Sequence, residues 1–133
     1  MATASAVRVG EFGAEEEEFL QKIVGAINAK MKVGCTGCDY CQPCPKGVDI
    51  PGIFSIYNAY HAEHKAAAKL DYVKCTTLRR QSTAASACIS CGKCEQHCPQ
   101  GIAIRQELQN ARNTLETADY RVMSKVLSLF VKY

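Results

Sequence analysis

Eight of the nine cysteines fall into two short runs, Cys35, Cys38, Cys41 and Cys44 in the first and Cys88, Cys91, Cys94 and Cys98 in the second; the ninth, Cys75, stands apart. Nine thiols in 133 residues is far above ordinary usage, which leaves disulfide bonding or metal ligation as the chemistry. The count is odd, and the N-terminal stretch MATASAVRVGEFGAEEEE lacks the apolar run of about 7 to 15 residues that secretion requires. In a reducing compartment, cysteines spaced C-x-x-C are metal ligands rather than disulfide partners. A cytoplasmic location is therefore expected. No apolar stretch approaches the roughly 20 residues needed to span a bilayer.

Each run closes on Cys-Pro, at Cys44-Pro45 and Cys98-Pro99. C-x-x-C-x-x-C followed by Cys-Pro is the ligand pattern of bacterial ferredoxins, where the fourth cysteine of each run serves the other 4Fe-4S cluster. Reach gives the reason. Three thiolates two residues apart can wrap three irons of one cube, whereas a fourth so close behind cannot readily close over the opposite corner, and the proline turns the chain away. The expected ligand sets are Cys35, Cys38, Cys41 and Cys98 for one 4Fe-4S cluster, and Cys88, Cys91, Cys94 and Cys44 for a second. Two four-thiolate zinc sites are the alternative, although zinc motifs usually come as separated C-x-x-C pairs. With every iron capped by cysteine, no coordination position is left for a substrate. The chain shows no glycine-rich phosphate loop, nucleophile motif or dinucleotide fingerprint. One-electron transfer is the chemistry that remains.

Tyr40, Gln42, Ile89 and Ser90 lie between the ligands and are expected to line the clusters, tuning their potentials by hydrogen bonding and water exclusion. His97 reads as a neighbour of the cluster or a solvent-facing residue, Cys75 as a small buried residue, and His61 and His64, with Glu63 between them, as a solvated pair. The formal charge of +3 counts the cysteines as thiols. Thiolate ligation of two clusters brings it to about −1, so charge does not argue for nucleic acid. Arg79-Arg80 reads as a solvated helix face.

The elements that must position these thiols are helical. From Ala14 to Met31, Phe19, Ile23, Ile27 and Met31 recur every four positions, with Glu15 to Glu18 at the positive end of the helix dipole and Gly34 closing the helix. Asp49 and Pro51 open a second helix, Ile50 to Lys65, with Ile53, Phe54, Ile56, Tyr57 and Tyr60 inward. A third, Ala66 to Arg80, offers Leu70, Val73, Thr77 and Leu78. Residues 81–87 read as an approach to the second run. A fourth helix, Ala103 to Thr117, presents Ile104, Leu108, Ala111 and Leu115, and a fifth, Asp119 to Tyr133, presents Val122, Val126, Leu129 and Phe130. No segment alternates long enough for a strand. The predicted fold is all-α, with two cysteine loops between about five helices.

CTGCDYCQPCPKGVDI at 35–50 aligns with CISCGKCEQHCPQGIAI at 88–104, which implies one supersecondary unit used twice. The strings CTGCDYCQPCPKGVDIPGIFSIYNAY and KCTTLRRQSTAASACISCGKCEQHCPQGIAIRQELQNAR closely resemble the C-terminal 4Fe-4S dicluster domain of aldo/keto reductase-like oxidoreductases, over nearly the whole chain from about Ala14. The two-residue gap Gln-Pro between Cys41 and Cys44 fits that family. The resemblance implies a helical ferredoxin fold over residues 14–133, with cluster motifs at 35–45 and 88–99, a C-terminal helix at 119–133, and a linker at 1–13. It further implies an electron relay working with a nicotinamide-binding aldo/keto reductase barrel, in cis or in trans, and with a redox partner protein. That barrel is not in this chain, so no reductase activity is expected of it alone. A free-standing ferredoxin subunit similar to the small subunit of heterodisulfide reductase is a second reading, and a structural zinc-bound interaction module a third. The former family usually keeps three residues before Cys-Pro in its first run, against two here.

Overall fold

The computed structural model describes residues 13–62, 65–77, 79 and 81–130, and every regular element among them is helical. The chain divides into two compact units, Met1–Lys30 and Met31–Tyr133. The described part of the first is helix α1, Ala14–Lys30, with Glu15, Glu16 and Glu17 in its first turn. Glu16 accepts a hydrogen bond from the Gly13 N–H at 3.0 Å, satisfying a donor that a helix start leaves free. No described helix is long and apolar enough to cross a membrane.

In the second unit, α2 (Ile50–Ala62) and α5 (Ile104–Leu115) each follow a Cys-Pro-x-Gly turn and drive their apolar faces into one core. Ile50, Ile53, Phe54 and Tyr57 come from α2; Ile104, Leu108, Ala111 and Leu115 come from α5, as their four-residue spacing predicts. Each fully buried large apolar side chain contributes about 1.5–3 kcal/mol. Val33, Val48, Ala84 and Ala85 complete the floor, and Cys35, Cys41, Cys44, Cys88, Cys94 and Cys98 pack on it partly buried. The core thus sits directly behind the thiols.

Helix α3 (Lys65–Thr77) packs on α2, and its boundary takes Lys65 from the predicted second helix. It buries Ala68, Tyr72, Val73 and Thr76, while Leu70, expected inward, is 43% exposed. Leu70 and Tyr72 stand about 200° apart around the helix, so only one can face the core. Tyr72 has the larger apolar body, and its hydroxyl finds partners inside. Leu78 and Arg80 lie outside the described residues; Arg79 is exposed.

The segment expected only as an approach forms a short 3-10 turn at Ala85–Ala87, packed on α5. A single turn, α4 (Lys93–Gln96), lies inside the second cysteine run. Helix α6 (Ala118–Phe130) reverses its predicted orientation: Val122 and Leu129 are exposed, as is Val126. Tyr120, Met123, Ser124, Leu127 and Ser128 are half-buried. Polar anchors at its start decide this. Lys69 Nζ donates to Asp119 Oδ2 at 2.6 Å and to Thr117 Oγ1 at 2.9 Å, and the Tyr120 ring lies 5.3 Å from that of Tyr72. The Phe130 side chain and residues 131–133, part of the predicted fifth helix, are outside the description, as are residues 1–12 of the predicted linker.

Candidate metal centre

The two cysteine loops trace the same backbone path. Left-handed residues recur at matched places: Gly37 and Ser90 at φ 69° and 56°, Asp39 and Gly92 at 62° and 76°, Gly47 and Gly101 at 67° and 61°. The turns match as well. Gly47 N donates to Cys44 O at 2.9 Å as Gly101 N does to Cys98 O at 3.1 Å, and Ile50 N to Val48 O at 3.0 Å as Ile104 N to Ile102 O at 2.8 Å. The repeat in the sequence is therefore a repeat in space. The loops differ before their prolines, where the first carries a cis Gln42–Pro43 peptide and the second accommodates its extra residue in α4.

Side chains from the helices hold each loop. Asn58 of α2 accepts from the backbone N–H groups of Lys32 and Val33, both at 2.9 Å, and donates back to Val33 O at 2.8 Å, fixing the chain just ahead of Cys35. Gln42 donates to Val48 O at 2.8 Å while its Oε1 accepts from Cys44 N at 2.9 Å, so one amide ties the end of the first run to the entry of α2. For the second run, Tyr72 Oη accepts from Ala85 N at 2.9 Å and donates to Glu116 Oε1 at 2.7 Å, and that oxygen also accepts from Ser86 N at 3.0 Å. Cys88 N donates to Ala85 O at 3.1 Å, so this network sets where the run begins. Glu95 closes it, accepting from Arg105 N at 2.8 Å and from Arg105 Nε at 2.9 Å.

Two recesses lie against the loops. The larger, about 140 Å3, is lined by Cys41, Cys44, Cys88, Cys91 and Cys94, with Ile50 and Leu108 among its apolar neighbours. The smaller, about 20 Å3, is lined by Cys35, Cys38, Cys41 and Cys98 over Ile50, Phe54 and Ile104. Each brings together thiols of both runs. Residues 36–40, in the loop over the smaller recess, are exposed. Among the described residues, no three His, Cys, Asp or Glu side chains converge closely enough to hold a single metal ion. Four soft thiol donors spread around an apolar recess fit a multi-iron cluster, whose irons take one thiolate each.

Burial, with help from neighbouring Cys35, Cys94 and Asp39, pushes the Cys41 thiol up to about 11, and burial likewise raises Cys94. Metal binding has to displace those protons. Gln42, Ile89 and the largely exposed His97 line the larger recess. Ser90 bears on it through its backbone N–H, which donates to Cys88 Sγ at 3.4 Å. Tyr40, expected to line a cluster, lines neither recess and is 66% exposed. Cys75, expected to be buried, is exposed, since α3 turns the Tyr72 and Thr76 face inward. His61 is exposed, while Glu63 and His64 lie outside the described residues. Lys93, Arg105 and the Tyr72–Glu116 network escaped the sequence reading. Only the Glu95-to-Arg105 pairing had a local signal, an opposite-charge pair bracketing the second Cys-Pro.

A family model described as a 4Fe-4S dicluster domain matches residues 34–103, just over half of the chain, and spans both cysteine runs. No curated protein and no solved structure matches the chain. The matched stretch contains every thiol of both recesses, the two repeated turns, and α2 and α3 between them. The chain belongs to the 4Fe-4S dicluster domain family, an iron–sulfur family suited to electron transfer.

Proposed function

We propose that the chain is a one-electron relay with two 4Fe-4S clusters on crossed ligand sets, Cys35, Cys38, Cys41 and Cys98 for one and Cys44, Cys88, Cys91 and Cys94 for the other. The observation that carries this reading is the lining of the recesses: in each, three thiols of one run meet the Cys-Pro cysteine of the other, with Cys41 of the first run also lining the larger. Cys41 borders both recesses, and the run spacing gives it to the first set. When bound, each cluster supplies a one-electron couple. The protein's part is to hold the thiolates, to keep water from their apolar side with Ile50, Phe54, Ile104 and Leu108, and to donate a backbone N–H to sulfur at Cys88.

The zinc alternative is less favoured by this arrangement. Zinc motifs usually come as separated C-x-x-C pairs, whereas each run here holds four cysteines and ends on Cys-Pro. Working beside an aldo/keto reductase barrel, in cis or in trans, and with a redox partner protein in the cytoplasm, is the context we propose. Its support is the resemblance of the two long cysteine-bearing strings and the two-residue gap between Cys41 and Cys44.

The test replaces Cys44 with serine in the reconstituted chain and follows the electron paramagnetic resonance of the reduced protein. The signal changed by Cys44→Ser should be the one changed by Cys91→Ser, with the signal that responds to Cys38→Ser largely intact. A Cys44→Ser variant that alters the Cys38-dependent signal instead would refute the crossed sets. Carbonyl turnover with NADPH by the purified chain would refute its role as a relay without a reductase site.

A further inference from the structure

The two loops repeat each other so closely that every departure from symmetry acts as an internal comparison. Between the second and third cysteines the first run carries Asp39-Tyr40 and the second carries Gly92-Lys93. The backbone at these positions is matched, with Asp39 and Gly92 both left-handed, so the exchange is one of charge rather than of path. Asp39 lines the smaller recess; Lys93 and Arg105 line the larger. Arg105 is paired with Glu95, which leaves Lys93 as the larger uncompensated contribution on that side. Arg79 shares a groove with Asp39 and offsets part of its charge, so the effect of Asp39 is the smaller one.

A second asymmetry is independent of charge. Ser90 N donates to Cys88 Sγ at 3.4 Å, and among the described residues no such bond occurs at the matched pair Gly37 and Cys35. Accepting an electron adds negative charge to a cluster and its thiolates. A nearby cation and an N–H donor to sulfur both favour that state, and a nearby carboxylate opposes it. Both differences act in the same direction.

We propose that the two sites are unequal, and that the site held by Cys44, Cys88, Cys91 and Cys94 takes its electron at the higher potential because Lys93 and the Ser90 N–H stand beside it while Asp39 stands beside the other. This rests on the two-cluster reading above. One electron delivered by a low-potential reductant such as dithionite then resides at the Lys93 side, and a second is needed to reduce the Asp39 side. No proton or bond is exchanged in either event.

The test is a potentiometric titration of the reconstituted 133-residue chain, followed by electron paramagnetic resonance, with Lys93→Gln and Asp39→Asn as variants. Both side chains are exposed, so folding should survive either change. Lys93→Gln should lower the higher midpoint by up to about tenfold in the one-electron equilibrium, about 59 mV, and leave the lower one in place. Asp39→Asn should raise the lower midpoint by a smaller factor and leave the higher in place. A Lys93→Gln variant that moves the lower midpoint, both equally, or neither overturns the ordering. A chain holding iron and sulfide for two clusters but titrating with a single midpoint overturns the inference alone; one that takes up zinc, or iron and sulfide for one cluster only, overturns the two-cluster reading with it.

Discussion

Ser90 holds a left-handed backbone at φ 56°, in the place where the first run uses Gly37. An L-residue with a Cβ pays about 1–2 kcal/mol for that conformation, while glycine gives back about 0.4–1 kcal/mol through the freedom of its unfolded chain. Ser90→Gly should therefore stabilise the loaded protein by about 0.5–1 kcal/mol, read as a rise of a few degrees in Tm. The Ser90 N–H remains in place, so the midpoint potentials should not move. A fall in Tm would show that the serine side chain does something beyond occupying the turn. At this scale the two cysteine runs were legible, because C-x-x-C spacing expresses a local chemical demand. The environment of Cys75 was not, because it depends on which face α3 turns inward.

Among the elements, the link from α3 through the 3-10 turn to the end of α5 is a hydrogen-bonded chain centred on Tyr72 Oη. Burial holds this phenol far above its ordinary ionisation range, with the Glu116 carboxylate adding to the effect, so it stays protonated and donates to Glu116 while accepting from Ala85 N. Tyr72→Phe keeps the ring and removes the acceptor of a buried N–H. The expected cost is about 1–3 kcal/mol in chemical denaturation of the loaded protein, with the loss of helix order concentrated where Cys88 begins its run. Tyr120→Phe, whose hydroxyl meets the threonine hydroxyls of Thr76 and Thr77 at 3.2 and 3.4 Å, should cost less, since those groups are less buried as a set. Equal costs for the two would remove Tyr72 from its central place. The helices themselves were legible in the 3.6-residue period. Their inward faces were legible for α2 and α5, which pack directly behind the cysteine loops, and not for α3 and α6, whose inward faces are set by hydroxyl and ion-pair partners distant in the chain.

For the whole molecule, the core backs directly onto six cysteines, and the proposed ligand sets join residues far apart in the chain. The thiolate–cluster bonds therefore belong to folding itself. The iron- and sulfide-free chain is expected to lose cooperative thermal unfolding in circular dichroism, and full helicity with a sharp transition in that form would overturn the expectation. The sequence by itself determined what depends on near neighbours: thiol spacing, the duplicated cysteine unit, the helical period, and the turns before α2 and α5. Which side of α3 and of α6 faces inward, and where Lys93 and Asp39 stand, came from the tertiary structure alone. Those outcomes come from closing distant segments around a shared core, where hydroxyl partners, ion pairs and the competition between apolar stripes are settled by packing, which no short window of sequence contains.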